Sequence, residues 1–302
     1  MSLCCTGHRG QCIDSIMELP ADLIENDLGE TPEKRENALT ELKTALRDIP
    51  GEELDGFDQS DVNLVRFLRG KKYNKAKTLN VIKNRVKFHA DHPELVNNAT
   101  VEEFERIGRI ATLLPNKAID GKVCVLLRPK LIINALEDKD FMEENPLIIA
   151  RFMIWFFNSL SQNVYVQTCG VVLMISMKDV TLFEAMTFIG AAKNEHRALA
   201  IGYLTTCTAA RFGGMMAFDH PIIIKPIFFI VTLFLQQKIK DRMHLCGTEY
   251  HRAQEILGSD LTRIPECIGG TLADRDCTYY IIHLLKLERA SARSESESEG
   301  TS

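Results

Sequence analysis

The spacing of apolar residues changes near the middle of the chain. Between residues 31 and 110 they recur every three or four positions, as at Leu39, Leu42 and Leu46, and this spacing is typical of one face of a helix. Residues suited to cap a helix precede four such stretches: Thr31, Ser60, Asn74 and Thr100. This part of the chain therefore predicts a small all-helical domain.

Beyond Pro115 the apolar residues form unbroken runs. The predicted strands are Lys122–Arg128, Gly170–Met177, Met215–Phe218 and Met243–Cys246. The predicted helices run from Asn145-Pro146 to Leu160, Leu182–Tyr203, 226–240 and Tyr250–Leu257, and an irregular loop is expected after Arg128. Strands that alternate with helices predict a mostly parallel β-sheet with helical cover, and unalternated apolar strands are typical of a sheet buried on both faces.

The helix predicted from Pro226 is apolar at every position between Ile227 and Leu235 except Thr232. A membrane span is excluded because Lys225 and Pro226 interrupt a run that would need about 20 apolar residues. Two alternatives remain: a fully buried core helix, or a helix between an apolar cavity and a membrane surface. The second accounts for the basic residues that follow. Lys238 and Arg242 would point the same way if the helix continued through Arg242.

Composition fits a globular protein without an evident nucleic-acid surface. The 302 residues are 45% hydrophobic and 25% charged, with a formal net charge of −5. Nine scattered cysteines do not predict a disulfide framework and favour a reducing compartment. Residues 1–30 are expected to be a flexible tail, whose Cys4, Cys5, His8 and Cys12 match no familiar zinc spacing. Residues 288–302 are acidic, of low complexity, and predicted to be disordered.

Motifs for catalysis or cofactor binding are missing from the sequence. It contains no G-x-S-x-G elbow, no Walker loop, no G-x-G-x-x-G after a strand and no H-E-x-x-H. Asp179 and Glu184 precede or begin a helix, where acidic residues are favourable without any catalytic role. We therefore expect a protein that is not an enzyme, with no catalytic residues, no metal site and no cofactor.

Several segments, in this order, resemble the CRAL-TRIO family of lipid-binding proteins, and within it the group of the α-tocopherol transfer and retinaldehyde-binding proteins. They are LVRFLRGKKYNKAKTL, GKVCVLLR, GVVLMISMKDV, FLQQKIKDRMHLCG and IPECIGGT. The resemblance covers roughly residues 31–275. It implies a helical N-terminal domain at 31–110 and an α/β lipid cage at 111–287, closed by a mobile apolar gate helix at Pro226–Leu235.

The resemblance and the apolar pattern together give candidate residues for three sites. The candidate lipid-pocket residues are Phe152, Ile154, Phe157, Val171, Leu173, Ile175, Leu204, Phe212, Met215, Ile227 and Val231. The candidate phosphoinositide-binding residues are Lys71, Arg211, Lys238 and Arg242, and a further basic position of that cleft falls on Gly213 here. The candidate gate and membrane residues are Phe228, Phe229 and Phe234.

The function that the resemblance implies is that of a lipid-binding and transfer protein. It would carry one tocopherol- or retinoid-like molecule and exchange it at phosphoinositide-containing membranes. The alternatives are a carrier of phosphatidylinositol or another phospholipid, and an adaptor that uses a lipid only for recruitment to membranes. The expected partners are a hydrophobic small molecule, phosphoinositide headgroups and the membrane surface, but no nucleic acid. We expect a cytoplasmic monomer that associates peripherally with endosomal or other phosphoinositide-bearing membranes.

Overall fold

The computed structural model describes residues 28–97, 103–104, 106–191, 195–233 and 237–273, without the side chains at 52, 53, 187–191 and 231. The tails at 1–27 and 274–302, with the four N-terminal cysteine and histidine residues, lie outside this description. So do Phe234 and most of the capping box that begins at Thr100.

Helices form the first part of the chain, as predicted. They are α1 Pro32–Arg47, α2 Asp61–Gly70, α3 Lys75–Asp91 and the short α4 Pro93–Val96. The three predicted caps that fall in the described residues are confirmed, because the side chains of Thr31, Ser60 and Asn74 each accept a hydrogen bond from a backbone N–H three residues later. The inner faces of these helices meet in one apolar cluster that includes Leu42, Phe67 and Ile82.

A five-stranded sheet forms the second part. Its strands are β1 Ala111–Leu113, β2 Val123–Leu127, β3 Val171–Ser176, β4 Phe212–Phe218 and β5 Met243–Gly247. They lie in sequence order, and β2 to β5 pair in parallel, while β1 pairs with β2 antiparallel. The predicted α/β fold with a mostly parallel sheet is therefore confirmed. β1 was not predicted, because three residues are too few to show a periodicity.

The helices around the sheet differ from the prediction at two places. They are α5 Pro129–Glu137, α6 Lys139–Glu144, α7 Ile148–Leu160, α8 Val164–Thr168, α9 Leu182–Ala191, α10 Glu195–Thr206, α11 Ile224–Leu233, α12 Gln237–Lys240 and α13 His251–Leu257. The irregular loop expected after Arg128 is wrong, because α5 and α6 occupy it. Pro129 opens α5, where its missing N–H costs nothing, and the side chain of Asp138 caps α6. The single helix expected over Leu182–Tyr203 is described as two helices, α9 and α10.

The helical part packs closely against the segment that leads into β4. A Cβ atom at Gly70, the last residue of α2, would lie 2.1 Å from the carbonyl oxygen of Ala209. Across the same junction, Arg85 of α3 donates hydrogen bonds to Asn158 of α7 and to the Tyr203 hydroxyl of α10. The contact places the end of α2, with Lys71 after it, beside the strand edge described below.

Candidate lipid cage and membrane face

One face of the sheet is closed by tight packing. In β2, β3 and β4 this face carries Leu126, Met174 and Met216, which lie side by side across the ladder and are almost fully buried. Ala253 and Leu257 of α13 belong to the same apolar cluster and cover it. We call this side the closed face. It is ordinary core.

The opposite face, which we call the open face, is less well covered. Leu173 and Met215 lie opposite each other here and are half-buried, although both belong to inner strands. Leu127 and Ile175, paired one step further along, are also half-buried. Inner strands of a parallel sheet are normally buried on both faces. Leu127, Leu173, Ile175 and Met215 therefore stay partly accessible on this face, whereas Val125 and Val171 of the same face are buried.

The structure gathers part of the predicted pocket set around this face. Phe157 of α7, Val171, Leu173 and Leu204 share one apolar cluster, and Phe152 lies deep within it. Ile154 does not join them: it packs in a separate cluster with Tyr203, toward the helical part. Ile175 meets a third cluster, around Ile133 and Met177. Phe212 lies exposed at the start of β4, and Ile227 is half-buried on α11.

Two helices carry an exposed apolar surface beside the open face. On α11, Phe229 is 64% exposed, and Ile230 and Leu233 are more than half exposed, whereas Phe228 is half-buried. On α9, Phe183 is 78% exposed and Leu182 and Met186 are also exposed. Ala185 of α9 packs with Ile223 and Ile224 at the start of α11, so the two helices are neighbours. We call the exposed apolar residues of α9 and α11 the apolar rim.

Sequence reasoning identified the apolar surface of α11 but missed that of α9, although it predicted a helix there. The segment LFEAMTFIGA is apolar at all but two or three positions, which is the same signal that identified the gate stretch. Its one carboxylate, Glu184, faces Lys130 of α5 in an ion pair and also accepts hydrogen bonds from Thr181. The Lys130 and Thr181 contacts lower the pKa of this half-buried carboxyl to about 2. Glu184 therefore ties α9 to α5 and has no catalytic partner among the described residues.

Two of the four predicted basic residues, Arg211 and Arg242, lie at the amino edge of the sheet. Arg211 directly precedes β4 and Arg242 directly precedes β5, and the two strands are parallel neighbours. The guanidinium of Arg242 donates a hydrogen bond of 3.0 Å to the carbonyl oxygen of Phe212. Lys71 reaches this edge from the end of α2, and burial lowers the pKa of its ammonium group. We call this edge the basic cleft.

Lys238 and Arg242 do not share a helix. The helix predicted over 226–240 ends at the same residue as α12, Lys240, and Arg242 belongs to the turn before β5, so the condition under which the two would point the same way is not met. Asp241 and Arg242 close this turn with backbone hydrogen bonds to Gln237 and Ile239. Lys238 is exposed on α12, whereas Arg242 is half-buried against β4.

Sequence reasoning also missed a cation at the cleft. Lys122 directly precedes β2, and its Cδ lies 2.8 Å from the position that a Cβ at Gly213 would take. A larger residue at 213 would therefore displace Lys122. Gly170, which directly precedes β3 between them, also lacks a side chain. The lysine ammonium group forms an ion pair with Asp120. The sequence could have indicated Lys122, because residues that directly precede parallel strands meet at one edge of the sheet.

Metal-binding and membrane-spanning features were searched in the described residues. No group of three or more His, Cys, Asp or Glu side chains there could hold a metal ion. No helix in the same residues is long and apolar enough to cross a bilayer. The cysteines in this part of the chain, such as Cys124 and Cys207, are free thiols.

Comparisons with known proteins agree with this geometry. The CRAL/TRIO domain family matches residues 109–270. The chain is 26% identical over 278 residues to the alpha-tocopherol transfer protein-like protein of Homo sapiens, covering 90% of this chain and 77% of that one. It is 20% identical over 265 residues to clavesin-1 of Rattus norvegicus, covering 85% of this chain and 71% of that one. The crystal structure of Sfh5 superposes with a TM-score of 0.51 at 12% identity, covering 87% and 99% of the two chains, and supports the fold alone.

The family match takes in all five strands, the open face, α9 and α11, and Lys122, Arg211 and Arg242 of the basic cleft. It spans more than half of the 302 residues. The family is one of lipid-binding and lipid-transfer proteins. The chain belongs to the CRAL-TRIO family.

Proposed function

We propose that this protein carries one hydrophobic molecule of tocopherol or retinoid size and exchanges it at membranes that contain phosphoinositides. The observation that carries the proposal is the asymmetry of the sheet. Leu173 and Met215 are half-buried on the open face, whereas Met174 and Met216 beside them are buried on the closed face. The chain would form two domains, 31–110 and 111–287, and the second domain would hold the ligand.

An apolar ligand fits the chemistry of the open face. The side chains that border it are aliphatic, aromatic and thioether groups: Leu127, Phe157, Leu173, Ile175, Leu204 and Met215. Hiding a lipid from water yields roughly 25 cal/mol per Å² of apolar surface, and this needs no catalytic group. Methionine side chains adapt to ligands of different shape. The half-buried Ile227 of α11 would complete the wall as part of a gate.

The apolar rim supports docking on a bilayer. Exposed apolar patches of this kind mark interaction sites on soluble proteins. Phe229 and Phe183 project from neighbouring helices, so both would enter the headgroup region together when the protein docks. The gate α11 would then open toward lipid instead of water, and the ligand would transfer without exposure.

The basic cleft supports recognition of a phosphorylated headgroup. Lys71, Arg211 and Arg242 converge at one sheet edge, and we add Lys122 to the predicted set. Charge-assisted hydrogen bonds from guanidinium groups to phosphate oxygens are among the stronger polar contacts. A phosphate beside Lys71 would offset the burial that now disfavours its charged form. The exposed Lys238 would add long-range attraction to an anionic surface.

The test is direct identification of the ligand. Lipids extracted from the purified protein are identified by mass spectrometry, and delipidated protein is titrated with a fluorescent tocopherol analogue, a retinoid and labelled phosphatidylinositol. We expect saturable binding of tocopherol or retinoid at one molecule per chain. Preferential binding of phosphatidylinositol would identify a phospholipid carrier instead. Binding of vesicles with no saturable uptake of any lipid would identify an adaptor.

A further inference from the structure

A second, polar pocket of about 580 Å³ lies away from both the open face and the basic cleft. Its walls come from the loop before α2, from α2 and α3, and from the end of α7 with the start of α8. None of its lining residues belongs to the candidate lipid-pocket or phosphoinositide-binding sets. The volume lies within the range of small-molecule sites, about 300–1,000 Å³. It occupies the junction between the helical part and the lipid-binding part.

Two guanidinium groups line this pocket, one from each of two helices. Arg66 belongs to α2 and Arg85 to α3. Arg85 is held by hydrogen bonds to two neutral groups, 2.8 Å to Oδ1 of Asn158 and a short one to the Tyr203 hydroxyl. The Nε of Arg66 is buried and has no hydrogen-bond partner. Neither arginine forms an ion pair with a carboxylate of the described residues.

The carboxylates near the pocket are exposed or already accept hydrogen bonds from another residue. Asp58 accepts hydrogen bonds from the backbone N–H and the hydroxyl of Ser60, at 2.8 and 2.9 Å, because it shapes the turn before α2. Asp55 lies exposed in the same loop. The deeper lining is neutral and polar, with Gln167 fixed by two hydrogen bonds from its Nε2 to the carbonyl oxygens of Ser161 and Gln162. The lining thus carries two arginines and two loop carboxylates, and the charge of Asp58 also acts on Arg66.

We propose that this pocket binds a small, water-soluble, multiply charged anion that carries phosphate or carboxylate groups. Arg66 and Arg85 would bind it from two sides, since the planar fork of a guanidinium matches two oxygens of either group. The unpartnered Nε of Arg66 would donate to it. The Nδ2 of Asn158, whose Oδ1 already accepts from Arg85 and Tyr203, is a further donor on the lining.

The electrostatics of the pocket agree with an anion site. Burial, and then the charge of Arg85, lower the pKa of Arg66 to about 10. Burial and the same arginine lower the pKa of His89, which bonds the Tyr203 hydroxyl, to about 4. His89 is therefore neutral near pH 7, and the positive charge comes from two arginines that repel each other. An anion between them would relieve that repulsion.

Isothermal titration of the full chain with pyrophosphate and with citrate tests the proposal, at constant ionic strength set with sodium chloride. We expect saturable binding of at least one of them. Because hydrogen bonds to charged groups contribute about 1.5–3 kcal/mol, Arg66→Gln should weaken binding at least about tenfold. Gln162→Glu places a carboxylate at an exposed lining position without removing a structural contact, and should weaken binding as well.

Two controls locate the anion. Lys83→Gln removes one positive charge from an exposed position of α3 outside the lining, and should leave the affinity unchanged. A Lys238→Ala, Arg242→Ala variant, altered in the basic cleft, should also bind normally. Loss of binding in that variant with normal binding by Gln162→Glu would place the anion in the cleft and overturn the proposal. Absence of saturable binding of both anions to the wild type would overturn it too.

Discussion

Leu173 of β3 and Met215 of β4 lie opposite each other across the parallel ladder, and both are half-buried. Met174 and Met216 follow them on the same strands, face the other side, and are almost completely buried. Because successive side chains of a strand point to opposite faces, adjacent residues of two inner strands meet different surroundings. One face is packed as core, and the other keeps several apolar side chains partly accessible.

Leu173→Phe should lower the affinity for the apolar ligand and leave the unfolding temperature nearly unchanged. The larger ring would occupy space on the open face that the proposed ligand needs. Met174→Phe is the matched control on the closed face, where overpacking a filled core costs about 1–3 kcal/mol. Thermal unfolding and titration with a fluorescent tocopherol analogue measure both effects. Equal destabilisation by the two substitutions would mean that the open face is also solid core.

Phe229→Asp should impair binding to vesicles far more than it affects folding. Phe229 is 64% exposed, so the new carboxylate stays hydrated in the free protein but must lose water at the bilayer. Val62→Asp is the control, because Val62 is 84% exposed on α2, outside the apolar rim. Co-sedimentation with vesicles and thermal unfolding are compared for both variants. A large fall in the unfolding temperature of Phe229→Asp would show that α11 is a buried core helix.

The sequence predicted the sheet and the caps well because these depend on local patterns. Unbroken apolar runs identified β2 and β3, and Thr31, Ser60 and Asn74 cap their helices as expected. The predicted lining residues of β3 lie on the side that carries its half-buried Leu173 and Ile175, although the apolar pattern alone does not distinguish Leu173 from Met174. That difference depends on which helices pack on each face, and it is decided by tertiary contacts.

At the basic cleft, too, the sequence predicted only part of the arrangement. The residues that precede β4 and β5, Arg211 and Arg242, were identified from the resemblance, and the predicted helix end at 240 agrees with the end of α12. Lys122 was overlooked because it is 91 residues from Gly213 in the chain, although their strands begin at the same edge. Ile154, in contrast, shares its helix with Phe157 but packs in another cluster. Helical periodicity shows that a face is apolar, not what it contacts.

A Lys238→Ala, Arg242→Ala variant should bind phosphoinositide-containing vesicles roughly tenfold or more weakly, since each cation near an anionic surface contributes about 1 kcal/mol. Affinity for the apolar ligand should be unaffected. Lys83→Ala, Lys87→Ala is the control, because it removes the same charge from exposed positions on α3. Co-sedimentation with and without phosphoinositide measures the difference. If both double variants weaken binding equally, the effect is one of net charge and the cleft has no specific role.

Stability should decrease in acid partly through Glu30. Its carboxylate accepts hydrogen bonds of 2.8 and 2.7 Å from Arg69, and both side chains are largely buried. Burial alone would raise the pKa of Glu30, but the hydrogen bonds and charge of Arg69 lower it below its ordinary value of 4.5. A carboxyl with a lowered folded pKa stabilises the fold above its unfolded pKa, and loses this contribution as pH falls through the folded value.

Urea unfolding of wild type and Glu30→Gln measures this contribution. Breaking a buried ion pair costs roughly 3 kcal/mol, so the variant should be less stable by about that amount at pH 7. The difference should shrink as the pH falls below 4.5, because the wild-type carboxylate then becomes protonated. Lys43→Gln, which breaks an exposed ion pair with Asp61, is the control and should cost at most about 1 kcal/mol. A difference for Glu30→Gln that stays constant across this range would contradict the assignment.

The two partners of the Lys122–Asp120 ion pair should affect headgroup binding in opposite directions. Lys122 extends over Gly213 toward the cleft, while Asp120 holds its ammonium group. Lys122→Ala removes a cation and should weaken binding to phosphoinositide vesicles about fivefold, since one cation contributes about 1 kcal/mol. Asp120→Ala frees the lysine and removes a competing carboxylate, so it should strengthen binding. If the pair were only structural, both variants would lower the unfolding temperature slightly and leave vesicle binding unchanged. Opposite shifts in affinity with equal stability, larger with phosphoinositide than with other anionic lipid, are expected if Lys122 contacts the headgroup.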